Sequence, residues 1–182
     1  MIRLFIALKI PLEIRNEIVN LRNKAIVNHN DYMWEPEEKI HLTLKFIGDV
    51  KKELTGPILS ALKFVEEYGS FSCSLKSFDF FYKDGEPKIL WMGLDINNEI
   101  INLVAKINNE LEKFFIAADK RKFKAHLTIK RLKGNEGIKF ENSFKEFKVP
   151  EIKFKASEIA LVKSELFPFG SKYSEIEIYK LK

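Results

Sequence analysis

Two short stretches of this 182-residue sequence carry the same side chains in the same order. His41-Leu42-Thr43-Leu44-Lys45-Phe46-Ile47 is echoed 85 positions later by His126-Leu127-Thr128-Ile129-Lys130-Arg131-Leu132, with four of seven positions identical. Only three histidines and three threonines occur in the chain. Shuffling would yield two His-x-Thr pairs about once in two thousand trials, so the echo is read as an internal repeat. Along a strand, residues two apart share a face, so each copy offers an imidazole beside a hydroxyl while Leu42, Leu44, Leu127 and Ile129 turn to a core. Two such pairs facing one another suit phosphodiester cleavage. One imidazole takes a proton from the attacking oxygen and the other gives one to the leaving oxygen; an ordinary pKa near 6.5 permits either role. The two threonine hydroxyls can donate to the non-bridging phosphate oxygens as charge grows on them. The scheme requires no metal or other cofactor.

Other readings of the same residues stay open. A strand histidine with a threonine two residues on also occurs as plain surface polarity. A metal site would want a third histidine or carboxylates at ligand spacing, and neither copy supplies them. His29, within Asn28-His29-Asn30-Asp31, reads as an exposed loop residue. By alternation Lys45 and Lys130 share the histidine face as candidate phosphate partners, whereas Phe46 and Arg131 fall on the opposite face unless a bulge redirects them.

The elements that must position these residues follow from periodicity. Ile2–Ile10 alternates as a strand, with Leu4, Ile6 and Leu8 on one side and Phe5, Ala7 and Lys9 on the other. Ile14, Ile18, Leu21 and Ala25 mark an amphipathic helix after Pro11. A strand at about 40–47 leads to a helix with Leu54, Ile58, Ala61 (or Leu62) and Val65 inside. Residues 71–96 read as a hairpin about Lys83-Asp84-Gly85-Glu86-Pro87, and Ile100, Leu103, Ile107, Leu111 and Phe114 (with Phe115) as a third helical stripe. A strand at about 125–131, a Gly134–Gly137 loop, and extended runs at about 151–163 and 172–181 complete the chain. This β-α-β-α-β-β-α-β-β-β order predicts an α+β fold with mainly antiparallel sheets. No Pro/Gly/Ser-rich linker divides residues 1–182, so a single domain of two intertwined lobes is expected.

Composition removes several functions. The lone Cys73 can form neither an internal disulfide nor a cysteine zinc cluster. No long apolar run suggests a membrane span, and Arg3 and Lys9 interrupt the first strand, so no signal peptide is read there and a cytoplasmic protein is expected. The net charge of +5 favours a polyanionic partner without demonstrating one. Residues 120–133 hold eight basic residues, counting His126, and no acidic one. That stretch suits a nucleic-acid backbone, with Phe123 available for packing or stacking, or it is a solvated lysine-rich face.

On these motifs the sequence resembles the 2H phosphoesterase superfamily, and within it the RNA 2′,3′-cyclic phosphodiesterases also called 2′-5′ RNA ligases. Arg3–Leu8 resembles the family's opening strand, His41–Val50 its first motif, Ile89–Leu94 its central strand, Phe123–Arg131 its second motif, and Leu161–Leu166 with Tyr173 its C-terminal pattern. Ala125 stands where many members carry proline. The resemblance implies a bilobal α+β fold of two pseudo-symmetric halves, helices packed outside, with His41, Thr43, His126 and Thr128 lining the groove between them. It implies metal-independent hydrolysis of a terminal RNA 2′,3′-cyclic phosphate to a 2′-phosphate, and reverse 2′-5′ ligation. The implied partners are RNA ends, tRNA fragments among them, and the protein is expected to be a monomer. The family also uses the residue three after each threonine, here Phe46 for the terminal base and Arg131 for the nucleotide or its phosphate. His41 is assigned as the acid and His126 as the base, with the reverse order left open by the near symmetry of the two motifs. Action on a small cyclic nucleotide, or non-catalytic RNA or nucleotide binding, are the alternatives.

Overall fold

The computed structural model describes residues 1–119, 121–168 and 170–182, so Lys120 of the basic stretch lies outside it. The chain runs β1 (Ile2–Lys9), α1 (Leu12–Ala25), β2 (His41–Val50), α2 (Thr55–Leu62), β3 (Phe71–Lys83), β4 (Glu86–Ile96), α3 (Asn98–Glu112), β5 (His126–Arg131), α4 (Glu136–Lys145), β6 (Lys153–Ala156), β7 (Glu158–Phe167) and β8 (Gly170–Lys180). The α+β expectation holds. Among the described residues all eight strands form one sheet in the order β6-β3-β4-β5-β2-β1-β7-β8, and every neighbouring pair is antiparallel.

Two four-stranded halves are visible in that order, and their junction is narrow. β2 and β5 meet through one residue pair, Leu42 with Leu127. The halves also meet at the opposite side. A single residue, Ser157, separates β6 on one outer edge from β7 in the other half, and one residue spans only about 3.8 Å. The sheet must therefore curl until β6 comes beside the end of β7 in the other half. The C-terminal residues fasten this closure: Leu181 N–H donates to the Ser157 carbonyl (2.9 Å), Lys182 N–H to that of Tyr68 (2.8 Å) and Ser70 N–H to that of Lys182 (2.9 Å).

The helices cover the outside, held by the stripes that periodicity marks. Ile14, Ile18 and Leu21 of α1, Ile58 and Leu62 of α2, and Ile100, Leu103, Ile107 and Leu111 of α3 are all buried in one core with Leu4, Ile6 and Leu8 of β1. Arg22 of α1 lies over the Trp34 ring (4.7 Å), which packs on Phe140 and Phe144 of α4. No helix among the described residues is long and apolar enough to cross a membrane.

Three expectations need correction. The extended run at 151–163 is two strands in different halves, because at Ser157 the chain passes from the edge strand β6 to β7, which lies between β1 and β8. The loop at Gly134–Gly137 opens α4, whose Phe140 and Phe144 are fully buried; Gly137 sits inside it because a Cβ there would meet Pro87 Cγ at 2.8 Å. Phe115 lies beyond α3 in the left-handed region (φ 59°) and is 99% exposed, so it is no part of that helix's buried stripe.

Candidate active site

The two copies of the repeat lie on neighbouring strands. Leu42 and Leu127 pair across the seam with both side chains in the core, which sends the flanking histidines and threonines to the opposite face. There His41, Thr43, His126 and Thr128 line one pocket of about 150 Å³, with Phe5, Phe46, Arg131, Ser164 and Tyr173 among its other walls. His29 stands apart, half-buried in a short turn, where its carbonyl accepts from the Trp34 indole (2.8 Å).

Both imidazoles are held in the same way. His126 Nδ1 lies 2.8 Å from the Lys124 carbonyl oxygen. His41 makes the matching bond to the Lys39 carbonyl, again two residues upstream. A carbonyl can only accept, so each Nδ1 carries hydrogen and each Nε2 presents a lone pair. His41 Nε2 lies 3.1 Å from Thr43 Oγ1, which therefore donates to it. Aromatic rings fix the planes: Phe5 stacks on His41 (5.0 Å, 24°) with Tyr173 edge-on, while Phe81 and Trp91 flank His126 at 4.9 and 6.0 Å. Burial holds both imidazoles below the usual histidine range. His41 is pushed down to about 4, with the nearby His126 adding to the effect of burial, and Lys124 contributes to lowering His126.

Strict alternation fails immediately after each threonine, at the same place in both copies. Ala7 pairs with Thr43 and Ile6 with Lys45, leaving Leu44 as an extra residue in β2. Trp91 pairs with Thr128 and Leu90 with Lys130, leaving Ile129 extra in β5. Each bulge reverses which face the following residues occupy. Lys45 and Lys130, expected beside the histidines, turn inward instead, 3% and 1% exposed. Lys45 Nζ donates to the Ala117 carbonyl and Lys130 Nζ to the Met33 carbonyl, each at 2.7 Å. They tether the loop after α3 and the loop before β2 to the two central strands. Phe46 and Arg131 come round to the pocket in their place, both exposed. Arg3 lies over the Phe46 ring (5.3 Å), and Arg131 Nε is 4.0 Å from Glu35.

Other residues of the site carry weaker signals in the sequence. Lys39 and Lys124 extend the repeat two residues upstream, and this identity is readable in the chain. Lys39 lies over Tyr173 (5.6 Å) and Lys124 over Trp91 (4.1 Å) and Phe81 (5.2 Å). Phe5, Phe81 and Trp91 become imidazole neighbours only through strand pairing, which no local pattern announces. Phe123 is half-buried and packs against the core.

An imidazole and a hydroxyl from each of two antiparallel half-sheets, facing one pocket, define a 2H phosphoesterase. Residues 10–166 match the model of the 2′-5′ RNA ligase superfamily, and the chain belongs to that superfamily. Among its relatives is an RNA 2′,3′-cyclic phosphodiesterase of Thermotoga maritima, 28% identical over 172 residues, covering 94% of this chain and 91% of that protein. The protein of the same name from Archaeoglobus fulgidus is 28% identical over 182 residues, covering 98% and 99%. In fold the chain is similar to TT0787 of Thermus thermophilus (TM-score 0.79, 24% identity, 98% and 97% covered). It is similar as well to E. coli LigT complexed with 3′-AMP (TM-score 0.76, 19% identity, 100% and 98% covered).

Proposed function

We propose that the protein is an RNA 2′,3′-cyclic phosphodiesterase, converting a terminal 2′,3′-cyclic phosphate to a 2′-phosphate. The observation that carries the reading is the convergence of two imidazoles in one small pocket, each with Nδ1 tied to a carbonyl and Nε2 left for proton transfer. The names of the relatives supply the substrate class.

In this reaction a water oxygen attacks phosphorus while the bond from phosphorus to the 3′-oxygen breaks. His126 Nε2 takes the proton from the water, and His41, protonated, gives one to the departing 3′-oxygen. Thr43 and Thr128 donate to the non-bridging oxygens; for Thr43 this means leaving His41 Nε2 when that nitrogen gains its proton. Phe46 supports the terminal base and Arg131 the nucleotide's charge. A 5′-hydroxyl in place of water would give a 2′-5′ linkage by the same transfers. These steps use side chains of this protein and no metal.

The test is incubation of purified protein, in excess EDTA, with an RNA oligonucleotide ending in a 2′,3′-cyclic phosphate. A 2′-phosphate end is the expected product. A 3′-phosphate would reverse the leaving group, and activity that vanishes with EDTA and returns with a divalent ion would refute the metal-free scheme.

A further inference from the structure

The two halves of the site are symmetric in their histidines and threonines but not in what lies beside them. Thr43 faces Ala7 on β1, and Ala7 faces Ala160 on β7. At the matching positions of the other half, Thr128 faces Trp91 on β4, and Trp91 faces Asp79 on β3. An indole fills the second half where two methyl groups stand in the first. Ala7 and Ala160, with Phe5 and Val162, form a small apolar cluster separate from the main core, on the pocket face of the sheet.

Above this floor opens a cavity of about 750 Å³. It shares Phe5, Lys39, His41 and Tyr173 with the reaction pocket, so the two are continuous. Its chemistry is divided. The floor is apolar, Tyr173 supplies an aromatic wall, and Lys39 stands at the boundary between the cavities, with exposed Lys172 among the residues lining the larger one. Of the other cations lining it, Lys9 is engaged by Glu158 (3.1 Å) and Glu175 (3.0 Å) and Arg15 by Glu37 (3.2 Å), while Lys39 has the looser partner Glu35 at 3.7 Å. A flat apolar group seated against an aromatic wall, joined through an anionic link at a lysine to a group in the next pocket, is what a nucleotide of single-stranded RNA offers.

We propose that this cavity binds the penultimate nucleotide of the RNA, its base over Ala7 and Ala160 and its linking phosphate toward Lys39. The inference rests on the cyclic phosphodiesterase reading and makes the enzyme selective for RNA ends over free cyclic mononucleotides. The absence of a large side chain at Ala7 and Ala160 is then a specificity feature: it keeps open in one half the space that Trp91 closes in the other.

The test compares adenosine 2′,3′-cyclic phosphate with the diadenosine dinucleotide ending in the same cyclic phosphate, using wild type, Ala160→Leu and Lys172→Glu. Wild type should prefer the dinucleotide. Ala160→Leu should lower kcat/KM on the dinucleotide by roughly ten- to a hundredfold, the equivalent of one lost base stack, and leave the mononucleotide unchanged. Lys172→Glu is an exposed change that leaves the fold intact, and it should act in the same direction and reduce the salt dependence of the dinucleotide reaction. If Ala160→Leu does not fold, Lys172→Glu decides. Dinucleotide rates unmoved by the variants would overturn the proposal. A well-folded Ala160→Leu that loses both substrates equally would also overturn it, by assigning the cavity to the terminal nucleoside. Wild type inert on both would refute the cyclic phosphodiesterase reading itself, and this inference with it.

Discussion

At pH 7 the acid of the proposed reaction must carry a proton, and His41 by itself does not. Burial and the second imidazole push it down to about 4, which leaves about one molecule in a thousand protonated at neutrality. The substrate must supply the difference. A phosphate charge about 4 Å from the ring, at an effective dielectric constant of about 20, is worth about 4 kcal/mol, or about 3 pKa units. His41 should therefore titrate near 4 in the free protein and near 7 with a phosphate anion seated between the imidazoles. The assay follows the His41 Cε1 proton by NMR from pH 3.5 to 8.5, with and without saturating 2′-AMP, its resonance identified by its loss in His41→Ala. An ordinary value near 6.5 in the free protein would refute the burial argument. A value that stays near 4 with the nucleotide bound, in an enzyme active at pH 7, would remove His41 as the acid. The same shift fixes a stability effect. The folded pKa lies below the unfolded one, so the contribution is complete above pH 6.5 and is lost as pH falls from 6.5 through 4; about 3 kcal/mol should disappear over that window.

His41→Ala and His126→Ala should each lower turnover at least ~100-fold with modest change in RNA affinity, as general acid–base groups do; single-turnover rates beside binding measurements separate the two effects. Lys130→Ala should cost about 3 kcal/mol in urea unfolding, because it strands the Met33 carbonyl and leaves a void beneath the Tyr32, Trp34 and Phe140 rings. Arg131→Ala, one residue on, should leave stability within about 0.5 kcal/mol and raise KM instead. Removing Lys122 and Lys124 together should weaken oligonucleotide binding and reduce its salt slope by about 1.4, two single-strand phosphate contacts; an unchanged slope in a salt titration would make this stretch a solvated face only.

How far the sequence carries depends on whether a signal is local. The His-x-Thr echo puts four side chains on one face, and they line one pocket, because alternation holds over the three residues from His41 to Thr43 and from His126 to Thr128. It fails at the fourth, where Leu44 and Ile129 bulge. That bulge depends on the partner strand as much as on its own residues, so Lys45 and Lys130 read as site residues while they are in fact interior tethers. The helical stripe of α4 was present as Phe140 and Phe144, four apart, but Gly134 and Gly137 beside it carry a loop signature. The division at Ser157 has no glycine or proline to mark it; only the pairing of β6 with β3 and β7 with β1 reveals it. Phe5 and Trp91 could be assigned to strands, yet their place beside the two imidazoles follows from pairings across long sequence separations.

The narrow junction of the halves has a mechanical consequence. With one residue pair bridging β2 and β5, the spacing of the two imidazoles is not held by a hydrogen-bonded ladder at the site itself. It rests on the core shared by the two halves, on the ties that cross between them near the site (Lys130 Nζ to the Met33 carbonyl, Lys45 Nζ to the Ala117 carbonyl, Glu35 N–H to the Ile129 carbonyl), and on the far closure, where Ser157, Tyr68 and Ser70 clasp the last two residues. The two imidazoles thus sit on separate half-sheets whose relative position is a property of packing across the whole molecule, not of local strand pairing.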